Sequence, residues 1–233
     1  MPIWLAYWMR RSQADEKILS YNDVVLRRSD LDILSGPYYL NDRIIEFYFS
    51  YLSSCHPSQD ILLVPPSIAF WMIKCPVAEA LKDFVEPLHL SDKRLVIFPV
   101  NDNDDVDRAE GGSHWSVLAY YRNANVFVHH DSCRSMNAAP AKQLYKAVVG
   151  YMGSASEARF LECTNSPIQE NGHDCGLYVT AIARVICNWH WNCNNTDTND
   201  LWFSAVKEQV TPSAVASMRG EILTLIRDLM ARH

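Results

Sequence analysis

No apolar run in this chain approaches the roughly 18 residues that a membrane-spanning helix needs, so no membrane anchor is expected. Positive charge is not in excess either. The formal charge is −6, which argues against nucleic acid or an anionic membrane as partner. A disulfide framework is missing, since the cysteines number seven and are unevenly spaced. Nor does the start read as a secretory signal, because Ile3-Trp4-Leu5-Ala6 is short and Arg10-Arg11 follow it. A reducing compartment is therefore expected, with the cytoplasm as the home and the nucleus as a second location. What the chain does have is 233 residues at 48% hydrophobic content, enough for one sizeable core. One domain is expected over residues 21–233. Residues 1–20 mix aromatics and charges without a period and read as a loosely attached extension.

Apolar spacing and turn residues divide the rest into elements. A short strand at Val24-Val25-Leu26 and a helical turn from Ser29 to Leu34 lead to the turn signal Gly36-Pro37. Asn41 is placed as N-cap of a helix whose buried side carries Ile44, Ile45, Tyr48, Phe49 and Leu52. Asp42 then stands at the helix N-terminus, where a carboxylate complements the dipole. Two more helices are expected, from Pro66 to Lys74 and from Val77 to Phe84. Leu95 to Val100 reads as a buried strand that runs into an acidic segment, Asn101 to Gly112, expected to be a mobile, solvated loop. Ser113–Tyr121 and Asn125–Asp131 flank the turn Arg122-Asn123 as an antiparallel hairpin. A two-residue loop there sets His114 directly opposite Asp131, with Cβ atoms about 4.5–5.5 Å apart, close enough for a carboxylate to hold an imidazole. Beyond it come a helix from Ala138 to Met152, a strand from Arg159 to Cys163, and a last helix with Thr211 as N-cap and Pro212 at its first position.

One stretch concentrates the chemistry: Gln169-Glu170-Asn171-Gly172-His173-Asp174-Cys175-Gly176. From Leu177 the apolar residues recur at three and four, so Cys175 falls in the first turn of a buried helix. Unpaired N–H groups and the positive dipole end favour an anion there, and so the nucleophilic thiolate. Gly176 is expected to keep the approach to the sulfur open, and Gln169 can return across the Asn171-Gly172 turn to aim its amide at an attacked carbonyl. The competing reading is a buried structural cysteine beside a polar loop. A thiolate also needs a base, and the base needs a third group to fix its tautomer. His114 with Asp131 supplies both. His129 shares the His114 face and is an alternative base, His130 points the other way, and neither has a carboxylate opposite it. His173 is so close to Cys175 that the turn directs it away. Cys187, His190 and Cys193 could offer three soft ligands, but no second pair at finger-like spacing supports zinc, and no metal is expected.

These residues carry a resemblance. Gly-Gly-Ser-His-Trp-Ser at 111–116, Asp131 and Gln-Glu-Asn-Gly-His-Asp-Cys-Gly at 169–176 resemble the signature of the sentrin-specific, Ulp-type cysteine proteases. Tyr-Leu-Asn-Asp at 39–42 matches that family's entry motif, and the likeness runs from about Asp23 to the last helix. The compact size and the Asn101-Asp102-Asn103 loop before Gly111-Gly112 resemble its deneddylating branch. The resemblance implies an α+β fold of papain-like, Ulp type, a single domain with a helical lobe packed on a mixed β-sheet. It implies His114 as base, Asp131 as its orienter, Cys175 as nucleophile and Gln169 as oxyanion donor. Trp115 and Asp42 match positions that line a channel for the substrate's diglycine tail, with Tyr39 and Asn101 beside them. Two departures stand out: Tyr39 replaces a more usual tryptophan, and His173 a more usual tyrosine.

The function so implied is a thiol isopeptidase and C-terminal hydrolase, without cofactor, that cleaves after the diglycine tail of a ubiquitin-like modifier. The neddylation modifier and its conjugates are the expected partners, in precursor processing and deconjugation, and the protein is expected to act as a monomer. The alternatives are a SUMO-specific protease of the same family, an acetyltransferase on the same scaffold, and a catalytically silent module that reads modifier tails. An indole over the tail admits only residues without side chains. Choice among modifiers must then come from residues further back, where ubiquitin carries an arginine and the neddylation modifier an alanine.

Overall fold

The computed structural model describes residues 15–75, 78–108, 111–192 and 201–232. Its first elements are β1 (Lys17–Tyr21) and β2 (Val24–Arg27), an antiparallel pair, followed by α1 (Arg28–Ser35) and α2 (Asp42–Cys55). Lys17 to Ser20, expected in a loose extension, therefore belong to the fold. Leu19 is buried against the core, a contact that a residue-by-residue period over so short a stretch does not announce. Residues 1–14 lie outside the described residues.

Asn41 caps α2 as expected, its side-chain oxygen accepting from the Ile44 N–H at 3.0 Å. Next come β3 (Ile61–Leu63), α3 (Pro66–Lys74), α4 (Ala78–Val85), β4 (Leu95–Asn101), β5 (Trp115–Tyr121), β6 (Val126–His130), α5 (Ala138–Val148) and β7 (Arg159–Glu162). The chain then forms α6 (Cys175–Asn192), α7 (Phe203–Gln209) and α8 (Pro212–Met230), the last capped by Thr211. The strands make one mixed five-stranded sheet, β3-β4-β5-β6-β7, with parallel pairs at both edges and antiparallel pairs between. Three residues of β3 are too few to show alternation, which is why this strand is invisible in the sequence.

Helices cover both faces of the sheet, as burial of a central strand such as β4 on both sides requires. On one face α2, α6 and α8 pack with the β1-β2 hairpin around Ile44, Ile45, Leu177, Ile182 and Ile222. On the other, Ala69 and Met72 of α3, Leu81 of α4 and Leu144 of α5 meet Phe98, Leu118 and Phe127. The helices between residues 28 and 90 thus serve both faces, because β3 inserts at the sheet edge between α2 and α3. Among the described residues no helix is long and apolar enough to cross a membrane.

The hairpin register differs from expectation. Tyr121 pairs with Val126 and Val117 with His130, so the loop has four residues, a 3-10 turn over Arg122–Ala124 and Asn125 at φ 46°. The Arg122 guanidinium explains the wider turn: it donates to the carbonyls of Lys93, Met152 and Leu90 at 2.6, 2.7 and 2.8 Å. Continued by one step, that register sets Asp131 across from Ser116, two residues beyond His114. A slip of two, unlike a slip of one, leaves every side chain on its original face, so His114 and Asp131 still meet.

Candidate active site

His114 stands just before β5, and its backbone is gripped on both sides. Its N–H donates to Asp102 Oδ1 at 2.9 Å, and its carbonyl accepts from the side-chain amides of Asn101 and Asn137, each at 3.2 Å. The imidazole is 2% exposed, and Nε2–H donates to Asp131 Oδ1 at 2.6 Å. Asp131 also accepts from the N–H groups of Cys133 at 2.7 Å and Asn137 at 2.8 Å. Burial opposes its charge, but these three donors hold the carboxyl below its usual range. With Nε2 so engaged, Nδ1 is the ring nitrogen that faces Cys175. Burial disfavours the imidazolium, yet hydrogen bonding and charge from Asp131 and Cys175 outweigh it and raise His114 from 6.5 to about 9. An imidazole so raised is a competent acceptor for a proton from the neighbouring sulfur.

Cys175 is the first residue of α6 and is 1% exposed. Gly176 has a different role from the one expected. A Cβ there would meet Leu40 Cβ at 2.7 Å, so the glycine lets the helix start pack against the chain that enters α2. Leu40 in turn accepts from Trp115 Nε1–H at 3.1 Å through its carbonyl. Gln169 is placed by both ends of its amide: Oε1 accepts from Ser132 Oγ at 2.7 Å and Nε2 donates to the Asn171 carbonyl at 2.6 Å. Its backbone N–H bonds the Ser132 carbonyl at 3.0 Å, and Tyr178 Oη holds the Ile168 carbonyl at 3.0 Å. Among the described residues Nε2 has no second acceptor, which leaves one of its hydrogens to donate.

A cavity of about 450 Å³ runs up to His114, lined among others by Tyr39, Leu40, Asp42, Asn101 and Trp115. All four residues expected to touch a tail therefore share its wall. Tyr39 is 54% exposed at the mouth, and Asn101 combines lining with its bond to the His114 carbonyl.

The other candidate histidines are engaged elsewhere. His129 does have a carboxylate, contrary to expectation: Glu162 Oε1 lies 2.8 Å from Nδ1 and Ser116 Oγ 2.9 Å from Nε2, leaving no nitrogen for a thiol. The parallel neighbour β7 supplies that glutamate, and hairpin reasoning alone does not include it. His130 turns to the opposite face, accepts from Trp202 Nε1–H at 2.8 Å, and is pushed down to about 3 by burial and by His129. His173 lies 3.6 Å from Asp174. Burial pushes the Cys187 thiol up to about 12, which makes it a poor metal ligand. Cys193 lies outside the described residues. Among those described, no three His, Cys, Asp or Glu side chains come together to hold a metal ion.

The acidic segment is ordered by its own side chains rather than simply solvated. Oxygens of Asn101, Asn103 and Asp105 each accept the N–H two residues on, at 2.8, 3.0 and 2.9 Å. Asp102 accepts from Ser113 N–H at 2.6 Å and Ser113 Oγ at 2.7 Å. Gly112, at φ +81°, packs where any Cβ would collide with Asn101 Oδ1. Ala109 and Glu110 lie outside the described residues. Asp102, Ser132 and Asn137 are supporting residues that motif reading missed. The alternating Asn/Asp pattern was a usable signal of the side-chain-to-backbone turns at Asn101, Asn103 and Asp105, but not of Asp102, whose partners Ser113 and His114 lie 11 and 12 residues on. Ser132 and Asn137 had none, because their partners lie 37 and 23 residues away.

The family model described as the Ulp1 protease family, C-terminal catalytic domain, matches residues 38–199. The chain belongs to the Ulp1 protease family. It is therefore a cysteine protease by family. It is 56% identical to NEDD8-specific protease 1 of Arabidopsis thaliana over 96% of this chain and 98% of that protein. It is 35% identical to sentrin-specific protease 8 of Homo sapiens over 92% and 98%. Its fold is similar to that of the C-terminal Ulp1 protease domain solved in complex with Smt3, the yeast ortholog of SUMO, at TM-score 0.57 and 19% identity over 98% and 96% of the two chains. A de-sumoylating protease matches at TM-score 0.66 and 16% identity over 93% and 92%. The Ulp1-family fold thus carries an imidazole at a cavity wall, with a carboxylate bonded to it and a thiol at a helix start beside it, an arrangement suited to acyl transfer.

Proposed function

We propose that this protein is a deneddylase, which cleaves after the diglycine tail of a neddylation-type modifier in both precursors and conjugates. The observation that carries the reading is the cavity that reaches His114, itself bonded to buried Asp131, with Trp115 and Asp42 in the cavity wall. The high identity to a protein named as NEDD8-specific favours this modifier over SUMO.

In this mechanism Cys175 Sγ gives its proton to His114 Nδ1 and attacks the carbonyl carbon of the terminal glycine, forming a C–S bond. Asp131 holds the Nε2–H tautomer and stabilises the imidazolium. The oxyanion is held by the free Nε2–H of Gln169 and the Cys175 N–H. Collapse breaks the C–N bond, and His114 returns its proton to the leaving amine. Water, deprotonated by His114, then attacks the thioester, releasing the glycine carboxylate and restoring the thiol. The same reading has the protein working as a monomer, without metal or cofactor, in the cytoplasm and nucleus.

Incubation with electrophile-tipped tails of the neddylation modifier, SUMO and ubiquitin tests it, with the labelled residue mapped by mass spectrometry. Labelling at Cys175 by the neddylation modifier ahead of the others is expected. Preference for SUMO would move the substrate within the family. Binding without labelling would mark a tail-reading module, and acetyl transfer from acetyl-coenzyme A an acetyltransferase.

A further inference from the structure

Arg219 sits in the middle of α8, a helix that otherwise turns Val215, Met218, Ile222 and Ile226 into the core. Its side chain is only 14% exposed, and its hydrogen bonds reach two separate segments beside the site. Nη2 donates to Asp174 Oδ1 at 2.8 Å and to the Tyr38 carbonyl at 2.9 Å, and Nη1 to the Ile33 carbonyl at 3.0 Å. Ile33 and Tyr38 bracket the turn that leads into Tyr39, Leu40 and Asp42 of the cavity wall. Asp174 immediately precedes Cys175 and is itself 10% exposed.

The bonds continue from Asp174 toward Gln169. Asp174 Oδ2 accepts from Asn171 Nδ2 at 2.8 Å, while Asn171 Oδ1 accepts the N–H groups of His173 and Asp174 at 3.1 and 3.0 Å. The Asn171 carbonyl is the group that orients Gln169 Nε2 at 2.6 Å. One planar guanidinium therefore sets the channel entry and the 169–174 loop at a fixed spacing. A lysine could match the charge of Arg219 but not the fork.

We infer, on the protease reading above, that Arg219 is a positioning residue of the reaction: it ties the oxyanion loop to the channel entry, so that Gln169 meets the carbonyl a seated tail presents. Arg219 touches neither the sulfur nor the imidazole. Its loss misplaces the amide of Gln169 while leaving the Cys175–His114 pair intact, and misplacement of about 1 Å costs on the order of 100-fold in rate. The larger effect belongs in kcat, because the oxyanion that Gln169 meets exists only in the transition state, whereas the tail keeps the rest of the cavity wall.

The test compares the full-length parent with R219M, R219K and D174N on a fluorogenic C-terminal amide of the neddylation modifier. It records kcat, KM, Tm and the rate at which iodoacetamide alkylates Cys175. R219M should lower kcat by about 100-fold and R219K by about 10-fold, with KM within about threefold and alkylation within about twofold of the parent. The double variant R219M/D174N should lose less than the product of the two single losses, since the two residues share the Nη2–Oδ1 bond. Unchanged kcat in R219M, or a loss matched by equal losses in alkylation and folded fraction, would overturn the inference while leaving the protease reading in place. If R219M does not fold, R219K decides by the same split between kcat and alkylation. A parent inactive on every modifier, by contrast, sinks both.

Discussion

His114 stands at the mouth of a central strand, whereas Gln169 stands on an irregular loop, and the fold holds the two by different means. The imidazole is buried and its backbone is fixed by Asp102, Asn101 and Asn137, all close to the sheet. Gln169 is only half-buried and is oriented by Ser132 on one side and by a line of side chains ending at Arg219 on the other. The contrast follows from the two tasks. A base must keep one tautomer against a buried carboxylate, which requires a dry, rigid setting. An oxyanion donor must present a free N–H to a charge that exists only in the transition state, which requires an open face and lateral support.

Removing what both halves serve gives the largest effect. Cys175→Ala should abolish cleavage yet retain modifier binding, measured by turnover and by calorimetry, since affinity draws on a wide surface and the covalent step has no other nucleophile. Residual cleavage would break the assignment of both halves at once. On the sheet-borne side alone, Asp131→Asn should keep the fold and lower kcat by roughly 10⁴-fold, as loss of the tautomer does in other triads. A loss no larger than that of a loop variant would show that the buried half is not the more demanding one. On the loop-borne side, Gln169→Ala should lower kcat by about 100- to 1000-fold with Cys175 alkylation unaltered.

The pH dependence sharpens the comparison further. His114 is raised from 6.5 to about 9, so its share of the folding stability is complete below 6.5 and is lost as pH rises through about 9. Asp131, held below its usual range, contributes above its unfolded value and loses that share as pH falls. Cleavage should accordingly decline above pH about 9, as the imidazolium that protonates the leaving amine disappears. Gln169→Ala should leave that limb where it is, because the amide does not titrate. A limb displaced in this variant would mean that the two halves are coupled.

The smallest effects should come from selectivity. Trp115→Ala should lower turnover on every modifier, while changes between Asp102 and Glu110 should alter the ratio between modifiers. An unpaired arginine of the ubiquitin tail in a tight slot costs at least about 2 kcal/mol, so equal rates on ubiquitin and the neddylation modifier would break the channel argument. Within that loop Asp102→Ala should go further, reducing stability by about 1–3 kcal/mol in chemical denaturation, because two backbone N–H groups lose their acceptor.

Much of this was legible because local rules govern it. The Asn41 and Thr211 caps, the Pro66–Lys74 helix and the placement of Cys175 at a helix start all follow from spacing and capping residues. The hairpin was legible in kind but not in register, because Arg122 is anchored to three carbonyls from distant segments. That error was harmless only because a shift of two preserves the face.

Sequence alone determined the chemical inventory: a cysteine at a helix N-terminus, a histidine and an aspartate on facing strands, and a glutamine upstream, all expressed through short-range periodicity. Tertiary structure alone decided what holds them. Only it placed Glu162 rather than Cys175 on His129, packed Gly176 against Leu40, and brought Arg219 to Asp174 from 45 residues away. The physical reason is range, since periodicity and capping act within a few residues, whereas these contacts exist only after the sheet has paired and α6 and α8 have packed on it.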